Sequence, residues 1–278
     1  MVLSHAYHRP LLPPAPPLPA PLAAPARGLR RWLHGWWRLI HLAALLLALA
    51  LSPSSYAAGH RRSFARHLWL GTAPTLLPFV VLSTLICLVL IRIVVVTAAS
   101  YGLTQYALEM VVRVLVLELI PLTAALFAAL RCTIPQADQI SALRRSGRWD
   151  ALRAEGLEPL RREALPRATA GIFCALLLAA ASAVIGLVVA YLTVHGFTTA
   201  ALPSYTRTVG QVFTPAVTLV FALKALLLAL AVALLPLAAV LDEAPRRRLA
   251  ASAELQGLVR MFVVIVLVEA AALVGNYH

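Results

Sequence analysis

Glu118 and Lys224 each interrupt a long apolar run of this 278-residue sequence. A charged side chain at the centre of a bilayer costs about 3 kcal/mol or more, so it normally faces a bundle interior or a water-filled cavity. At about 1.5 Å per helical residue, both residues come near the middle of a membrane. Their similar depth therefore allows an ion pair between Glu118 and Lys224.

Three further residues can extend this pair into an intramembrane charge network along a lipid path. Arg92 and Glu269 lie somewhat nearer the outer ends of their apolar runs. Pro121 removes one backbone hydrogen bond close to Glu118 and predicts a kink there. The alternative to a headgroup path is a buried pair that only fixes helix packing, and the sequence allows both.

The elements that position these residues follow from composition. Hydrophobic residues make up 61% of the chain and the mean hydropathy is +0.85. These residues are concentrated in runs long enough to cross a bilayer. The sequence therefore predicts an all-α polytopic membrane protein with five transmembrane helices, preceded by an interfacial amphipathic helix. The predicted spans are about 75–100, 105–132, 168–194, 213–241 and 258–275.

The first part of the chain differs from the rest in composition. Residues 1–28 are dense in proline, which predicts a disordered cytoplasmic tail. Residues 29–52 contain paired arginines, three tryptophans and an apolar stretch that is short for a span. We interpret them as an in-plane interfacial helix. A secretory or twin-arginine signal is the alternative.

The distribution of arginine predicts the orientation of the chain. Residues 1–72 hold eight arginines and no acidic residue, and residues 133–167 hold seven more. In the loops predicted on the other side, residues 101–104 and 195–212, the single arginine is Arg207. The positive-inside rule therefore predicts a cytoplasmic N-terminus and a C-terminus on the outer side.

The polar loop at residues 133–167 has apolar residues spaced i,i+3 on either side of Gly147. This spacing predicts two short amphipathic helices, ended by Gly156 and Pro159. Such a cytoplasmic coupling loop could be held by a soluble ATPase; a face lying on the headgroups is the alternative. The residues predicted to take part are Ile140, Leu143, Arg144, Trp149, Leu152, Glu158 and Pro159.

The sequence carries no motif of an enzyme. A P-loop is absent because the only lysine, Lys224, follows no glycine-rich loop, and G-x-S-x-G and H-E-x-x-H are absent too. The three cysteines and eight histidines lack metal-ligand spacing. Topology and anionic lipid explain the formal charge of +13 more simply than nucleic acid does. We therefore predict no metal, cofactor or nucleic-acid partner for this chain; if ATP powers it, a partner chain binds ATP and Mg²⁺.

The second predicted span and the loop resemble the MlaE (YrbE) permeases of lipid-transporting ABC systems. The family patterns R-E-L-G-P, G-R-x-G-S and D-P-L correspond to residues 117–121, 130–134 and 158–160. Lys224 falls where the family has a lysine in the fourth span, and Glu269 where it has an acid in the last. The resemblance covers about residues 30–278 and leaves out the proline-rich tail.

The chain departs from the family patterns at several positions. Leu117 replaces the arginine and Ile120 the glycine of the first pattern. The glycines of the second pattern are missing, since residues 130–134 read "LRCTI". Gln139 and Gly147 stand where the family has loop acids. These differences predict a divergent subfamily with its own partners.

The resemblance implies what the domain at residues 29–278 does. It would be the homodimeric permease subunit of an ABC transporter in the bacterial inner membrane, moving phospholipid or a related lipid between that membrane and the outer envelope. The implied partners are an ABC ATPase subunit, an MCE-domain lipid-binding protein outside and a small cytoplasmic accessory subunit. Lipid tails would enter a cavity at the dimer interface. A membrane-embedded scaffold and a secondary carrier without ATPase coupling are the alternatives.

Overall fold

The computed structural model describes residues 20–52, 61–155, 158–241 and 250–277, and all regular elements within these ranges are helices. The predicted all-α class is therefore confirmed. The chain divides into two compact units, residues 1–38 and 39–278. In the first unit the described residues, 20–38, belong to helix α1.

The described helices follow one another through short connections, and three stretches of π-helix, π1 to π3, are set among the α-helices. Their bounds are α1 Ala20–Leu51, α2 Arg61–Ser100, α3 Thr104–Met110, π1 Val111–Leu119, α4 Ile120–Ala128, π2 Ala129–Thr133, α5 Ile134–Arg145, α6 Arg148–Ala154, π3 Leu160–Ala164, α7 Leu165–His195, α8 Leu202–Val212, α9 Pro215–Leu241 and α10 Ala250–Tyr277.

Six helical stretches in the described part of the chain are long and apolar enough to cross a membrane. Five of them overlap the predicted spans, and the protein is a polytopic membrane protein. The sixth, Leu33–Leu51, is the stretch that we predicted to lie in the membrane plane, and that placement stays a prediction.

Helix α1 begins at Ala20 rather than at the predicted residue 29. Residues 20–28, predicted to be part of the disordered tail, are therefore helical. The stretch is rich in alanine, the best helix former, and Pro21 falls in the first turn, where proline is tolerated; Pro25, in the second turn, removes one backbone hydrogen bond. The rest of the predicted tail, residues 1–19, lies outside the described residues.

The second span does not end at residue 132 as predicted. Helical structure continues from Thr104 through α3, π1, α4, π2 and α5 to Arg145. We call this continuous segment the second span. The predicted loop therefore begins inside a helix, and α5 and α6 form the predicted pair of short helices, which we call the hairpin. Gly147 joins them with a φ of 73°, a left-handed conformation that glycine adopts without strain.

Helix α7 contacts α2, α4 and α9, and α9 in turn contacts α10. Small residues allow the close approach of these helices. A Cβ added at Gly171 of α7 would lie 3.1 Å from the Ala233 Cβ of α9. Such small-residue contacts are how membrane helices gain packing energy when there is no difference in hydrophobicity to drive them together.

Candidate functional site

Lys224 in α9 contacts two carboxylates that come from different helices. Its Nζ lies 2.6 Å from Oε2 of Glu269 in α10. It also donates a hydrogen bond to Oε2 of Glu118 in π1. The structure thus brings Glu118, Lys224 and Glu269 into direct contact, and we call these three residues the Lys224 cluster.

Pro121 explains why the lysine ammonium also contacts the backbone of the second span. Proline has no N–H, so it cannot donate the α-helical hydrogen bond to the carbonyl four residues earlier, that of Leu117. Lys224 Nζ donates to this carbonyl at 3.3 Å and lies 3.4 Å from the carbonyl oxygen of Glu118. The lysine therefore supplies a hydrogen bond that Pro121 cannot make.

The three members of the cluster differ in exposure. The Lys224 side chain is 1% exposed, whereas Glu118 and Glu269 are 15% and 17% exposed. Four oxygens surround an ammonium that has three donors, so the buried charge is both paired and hydrogen-bonded. Removing one partner of such a buried pair typically costs about 3–5 kcal/mol. The cluster is therefore a strong constraint on the packing of π1, α9 and α10.

Glu118 lies in a stretch of π-helix. At the end of π1 the Ile120 N–H donates to the carbonyl of Leu115, five residues earlier. The wider turn loosens the backbone next to Glu118, and π-helical stretches occur frequently at functional sites. Pro121 predicted a kink at this place but not a π-helical stretch, so this part of the site was missed.

The two departures from the first family pattern are accommodated by packing. Ile120 is 2% exposed, and its Cδ1 lies 2.7 Å from the position that a Cβ of residue 186 would occupy. Because Gly186 has no side chain, α7 leaves room for the isoleucine that replaces the family's glycine. Leu117 is also 2% exposed and packs in an apolar cluster. The replacement of arginine by leucine therefore leaves this wall of the site uncharged.

Three other charged residues of the apolar stretches are partly or fully exposed: Arg92, Glu109 and Arg113. Arg92 is on an exposed face of α2. Arg113 pairs with Glu109 at 3.0 Å, one turn apart on the same helix, with both side chains about two-fifths exposed. The exposure of both side chains identifies this i,i+4 pair as a surface pair.

The apolar residues predicted to face an ATPase mostly pack inward. Ile140 is 0% and Trp149 5% exposed, and both belong to a core cluster with apolar residues of α9. Pro159 is also buried, whereas Leu143 and Leu152 are half-buried. The apolar side of the hairpin is therefore packed mostly against the protein itself, with α5 contacting α9.

Arg144 links the hairpin to the end of α9. Its guanidinium donates to the carbonyl of Val240, in the last turn of that helix. Helix C-termini leave carbonyls without intrahelical donors, and a basic side chain is a favourable partner for them. Glu158, by contrast, is exposed and pairs with Arg161 at 2.9 Å. Sequence reasoning placed Arg144 in the coupling surface but did not identify Val240 as its partner.

At the opposite end of α7, Tyr205 of α8 docks against the membrane-crossing helices. Its hydroxyl donates to the carbonyl of Leu187 at 2.7 Å, and its ring stacks edge-on against Tyr191 with centroids 5.1 Å apart. Burial raises the pKa of Tyr205 to about 12. This contact fixes α8 to the protein at the end remote from the hairpin.

Comparison with known proteins places this arrangement in a family. The family model for Permease MlaE matches residues 64–274, which include the Lys224 cluster and the hairpin. No curated protein matches the chain significantly.

Proposed function

The chain belongs to the MlaE permease family, and on this premise we propose that it moves phospholipid, or a related lipid, between the inner membrane and the outer envelope. It is an ABC-type permease, a transporter subunit rather than an enzyme, and in this proposal a separate ATPase chain hydrolyses the ATP. The observation that carries the proposal is the family match over residues 64–274, within which a charged cluster is held among apolar membrane helices.

The Lys224 cluster is the proposed contact for the lipid headgroup. Its two carboxylates remain partly exposed among apolar helices, which suits a ligand that has one polar end. An apolar cleft of about 200 Å³ between α2 and the second span supports a path for acyl chains. Its lining includes Phe79, Leu115, Leu119, Ile120 and Phe127.

The proposed coupling route runs from the hairpin to the cluster through α9. Helix α5 of the hairpin contacts α9, Ile140 and Trp149 share a core cluster with apolar residues of α9, and Arg144 donates to the last turn of the same helix. Lys224 lies in the middle of α9. A displacement of the hairpin by an ATPase would therefore move the helix that carries the lysine.

The proposed surroundings follow the resemblance. The N-terminus and the hairpin lie in the cytoplasm, where the ATPase binds, because the arginine-rich segments are on that side. The C-terminus lies in the periplasm, where an MCE-domain lipid-binding protein receives or delivers lipid. Two copies of the chain form the permease, and a small cytoplasmic accessory subunit completes the assembly.

The decisive experiment is a purification of the tagged protein in mild detergent, followed by mass spectrometry of bound proteins and lipids. We expect an ABC ATPase, an MCE-domain protein and enriched phospholipid. Recovery of the chain without an ATPase and with only bulk lipid would contradict the proposal and favour a scaffold or a secondary carrier.

A second experiment tests the cluster in the reconstituted complex. Glu118→Gln and Lys224→Met are expected to lower lipid transport per ATP hydrolysed. Arg113→Gln is the matched control, because it removes a charge from the same span at a half-exposed pair. Equal transport by all three variants would exclude the cluster from the lipid path.

A further inference from the structure

The apolar cleft between α2 and the second span lies in one half of the membrane. At the end remote from the hairpin, the apolar stretches of these segments stop at Ser100 and Tyr106. At about 1.5 Å per residue, the lining of the second span begins about 14 Å from Tyr106, at Leu115, and ends about 36 Å from it, at Leu130. The lining of α2, residues 79–87, falls about 20–32 Å from Ser100. Since the hydrocarbon core is about 30 Å thick, the cleft lies in the half nearer the hairpin.

The interior of the cleft is unsuited to water. Thr123 already donates its hydroxyl hydrogen to the carbonyl of Ile120 at 3.0 Å, and the Ser83 hydroxyl reaches the Cys87 thiol. The rest of the lining is apolar. A buried water needs about two to four polar partners, which it would not find here. An empty cleft, on the other hand, loses dispersion contacts along its walls. The lining therefore favours a hydrocarbon as its occupant.

The opening and the size of the cleft suit one acyl chain. Leu82 and Leu130 line it and are 42% and 66% exposed, so the cleft opens on the surface of the protein at membrane depth. A dry engineered cavity of about 150 Å³ lined by similar residues binds benzene. A cleft of about 200 Å³ therefore takes a segment of one acyl chain and leaves no room for a second.

Arg131 extends the lined face of the second span towards the hairpin. Thr123 and Phe127 line the cleft, and Arg131 follows at the same spacing of four residues, which places all three on one face. Arg131 is exposed and lies about 38 Å along the segment from Tyr106, which is the depth of the headgroups on the hairpin side. A guanidinium there is a suitable partner for a phosphate, which it can bind through two hydrogen bonds.

From the depth, the lining and the position of the arginine we infer that the cleft and Arg131 together bind one phospholipid of the leaflet on the hairpin side. One acyl chain occupies the cleft, the phosphate lies on Arg131, and the second chain stays in the bilayer. The inference rests on the proposed lipid-permease function and names the leaflet with which the permease exchanges lipid. In the proposed orientation this is the cytoplasmic leaflet.

The test is photocrosslinking on the full-length protein in phospholipid nanodiscs. Two phosphatidylethanolamines are used, one with a diazirine on the acyl chain close to the glycerol and one with a diazirine close to the chain end. Crosslinked peptides are mapped by mass spectrometry. We expect the first probe to label residues 127–130 and the second to label residues 115–119. A lipid of the opposite leaflet would direct its glycerol to the other end of the span, so the first probe would label residues 104–111 instead.

Two substitutions assign the binding to the arginine and the cleft. Arg131→Gln is expected to lower labelling by the first probe at least about tenfold, the effect of one charge-assisted hydrogen bond, whereas Arg131→Lys keeps the charge and most of the labelling. Thr123→Phe fills the cleft and should remove labelling of residues 115–119. Arg113→Gln is the matched control, because it removes an arginine from the other half of the same span, and labelling should stay unchanged. The comparison of the two probes on the unmodified protein needs no variant to fold.

The outcomes separate this inference from the proposed function. Labelling of residues 104–111 by the first probe, or equal labelling of the unmodified protein and Arg131→Gln, overturns the inference. A cleft that neither probe labels is covered by protein, such as a second copy, and this result overturns the inference too. ATP-driven lipid transport by the purified complex is measured separately. Transport without labelling of the cleft leaves the lipid permease intact, whereas labelling without transport contradicts the proposed function.

Discussion

Replacing Lys224 by methionine tests the cluster as a structural element. The substitution leaves Glu118 and Glu269 without a cation and the Leu117 carbonyl without the donor that substitutes for Pro121. Breaking a buried pair in this way costs about 3–5 kcal/mol. At about 1.4 kcal/mol per factor of ten, the ratio of folded to unfolded protein should fall by roughly 10²- to 10⁴-fold.

The assay is reversible unfolding by sodium dodecyl sulfate in mixed micelles, followed by far-ultraviolet circular dichroism. A triple variant, Lys224→Met with Glu118→Gln and Glu269→Gln, removes all three charges and is expected to recover most of the lost stability. The reason is that an uncharged replacement of a buried ion pair is often neutral. A Lys224→Met protein within about 0.5 kcal/mol of the wild type would refute the reasoning, because a side chain with these contacts cannot be lost without effect.

Three further predictions concern contacts outside the cluster. Gly186→Ala should destabilise the protein by about 1–3 kcal/mol, because the new Cβ would lie 2.7 Å from Ile120 Cδ1. Adding Ile120→Val to this variant should restore the lost stability, measured in the same unfolding assay. Arg144→Met should lower the free energy of unfolding by about 1–2 kcal/mol, because the hydrogen bond to α9 is lost. The control is Arg148→Met, which changes an exposed arginine and should alter the free energy of unfolding by less than about 0.5 kcal/mol. Burial raises the pKa of Tyr205 to about 12, above the usual value of about 10. The folded state therefore keeps the Tyr205 proton to a higher pH than the unfolded state does. The contribution of this hydroxyl to the free energy of unfolding is constant below about pH 10 and is lost between about pH 10 and 12. An ultraviolet titration should show one late tyrosine that disappears in Tyr205→Phe, and simultaneous titration of all tyrosines near pH 10 would contradict this.

The helical class and the approximate spans could be predicted because runs of apolar residues leave few other structures for a chain in lipid. The Glu118–Lys224 pair was also accessible, since charges at equal depth in apolar helices have few other partners. The continuation of the second span to Arg145 was missed, because the polar residues after 132 suggested a loop. That segment is helical because α5 docks its apolar side on α9 through Ile140.

Other features were missed. Each of the three π-helical stretches ends two residues before a proline, which is Pro121, Pro135 or Pro166, and this local signal was not used. The inward direction of Trp149 could not be read from i,i+3 spacing, because an amphipathic hairpin can turn its apolar side to its own protein, to a partner or to lipid. The complementary fit of Ile120 and Gly186 joins residues from different helices. Such a pair becomes visible only when the helices are placed.

The contacts of Lys224 show a packing role for the lysine, whereas a lipid-path role for the cluster stays a prediction. All donors of the lysine are directed at protein oxygens, two of them backbone carbonyls next to Pro121. Its role is therefore to complete the second span and to hold α9 against it. One carboxylate oxygen, Oε1 of Glu269, is buried and has no hydrogen-bond partner among the described residues. Packing thus depends on the lysine, so Lys224→Met should act first on stability.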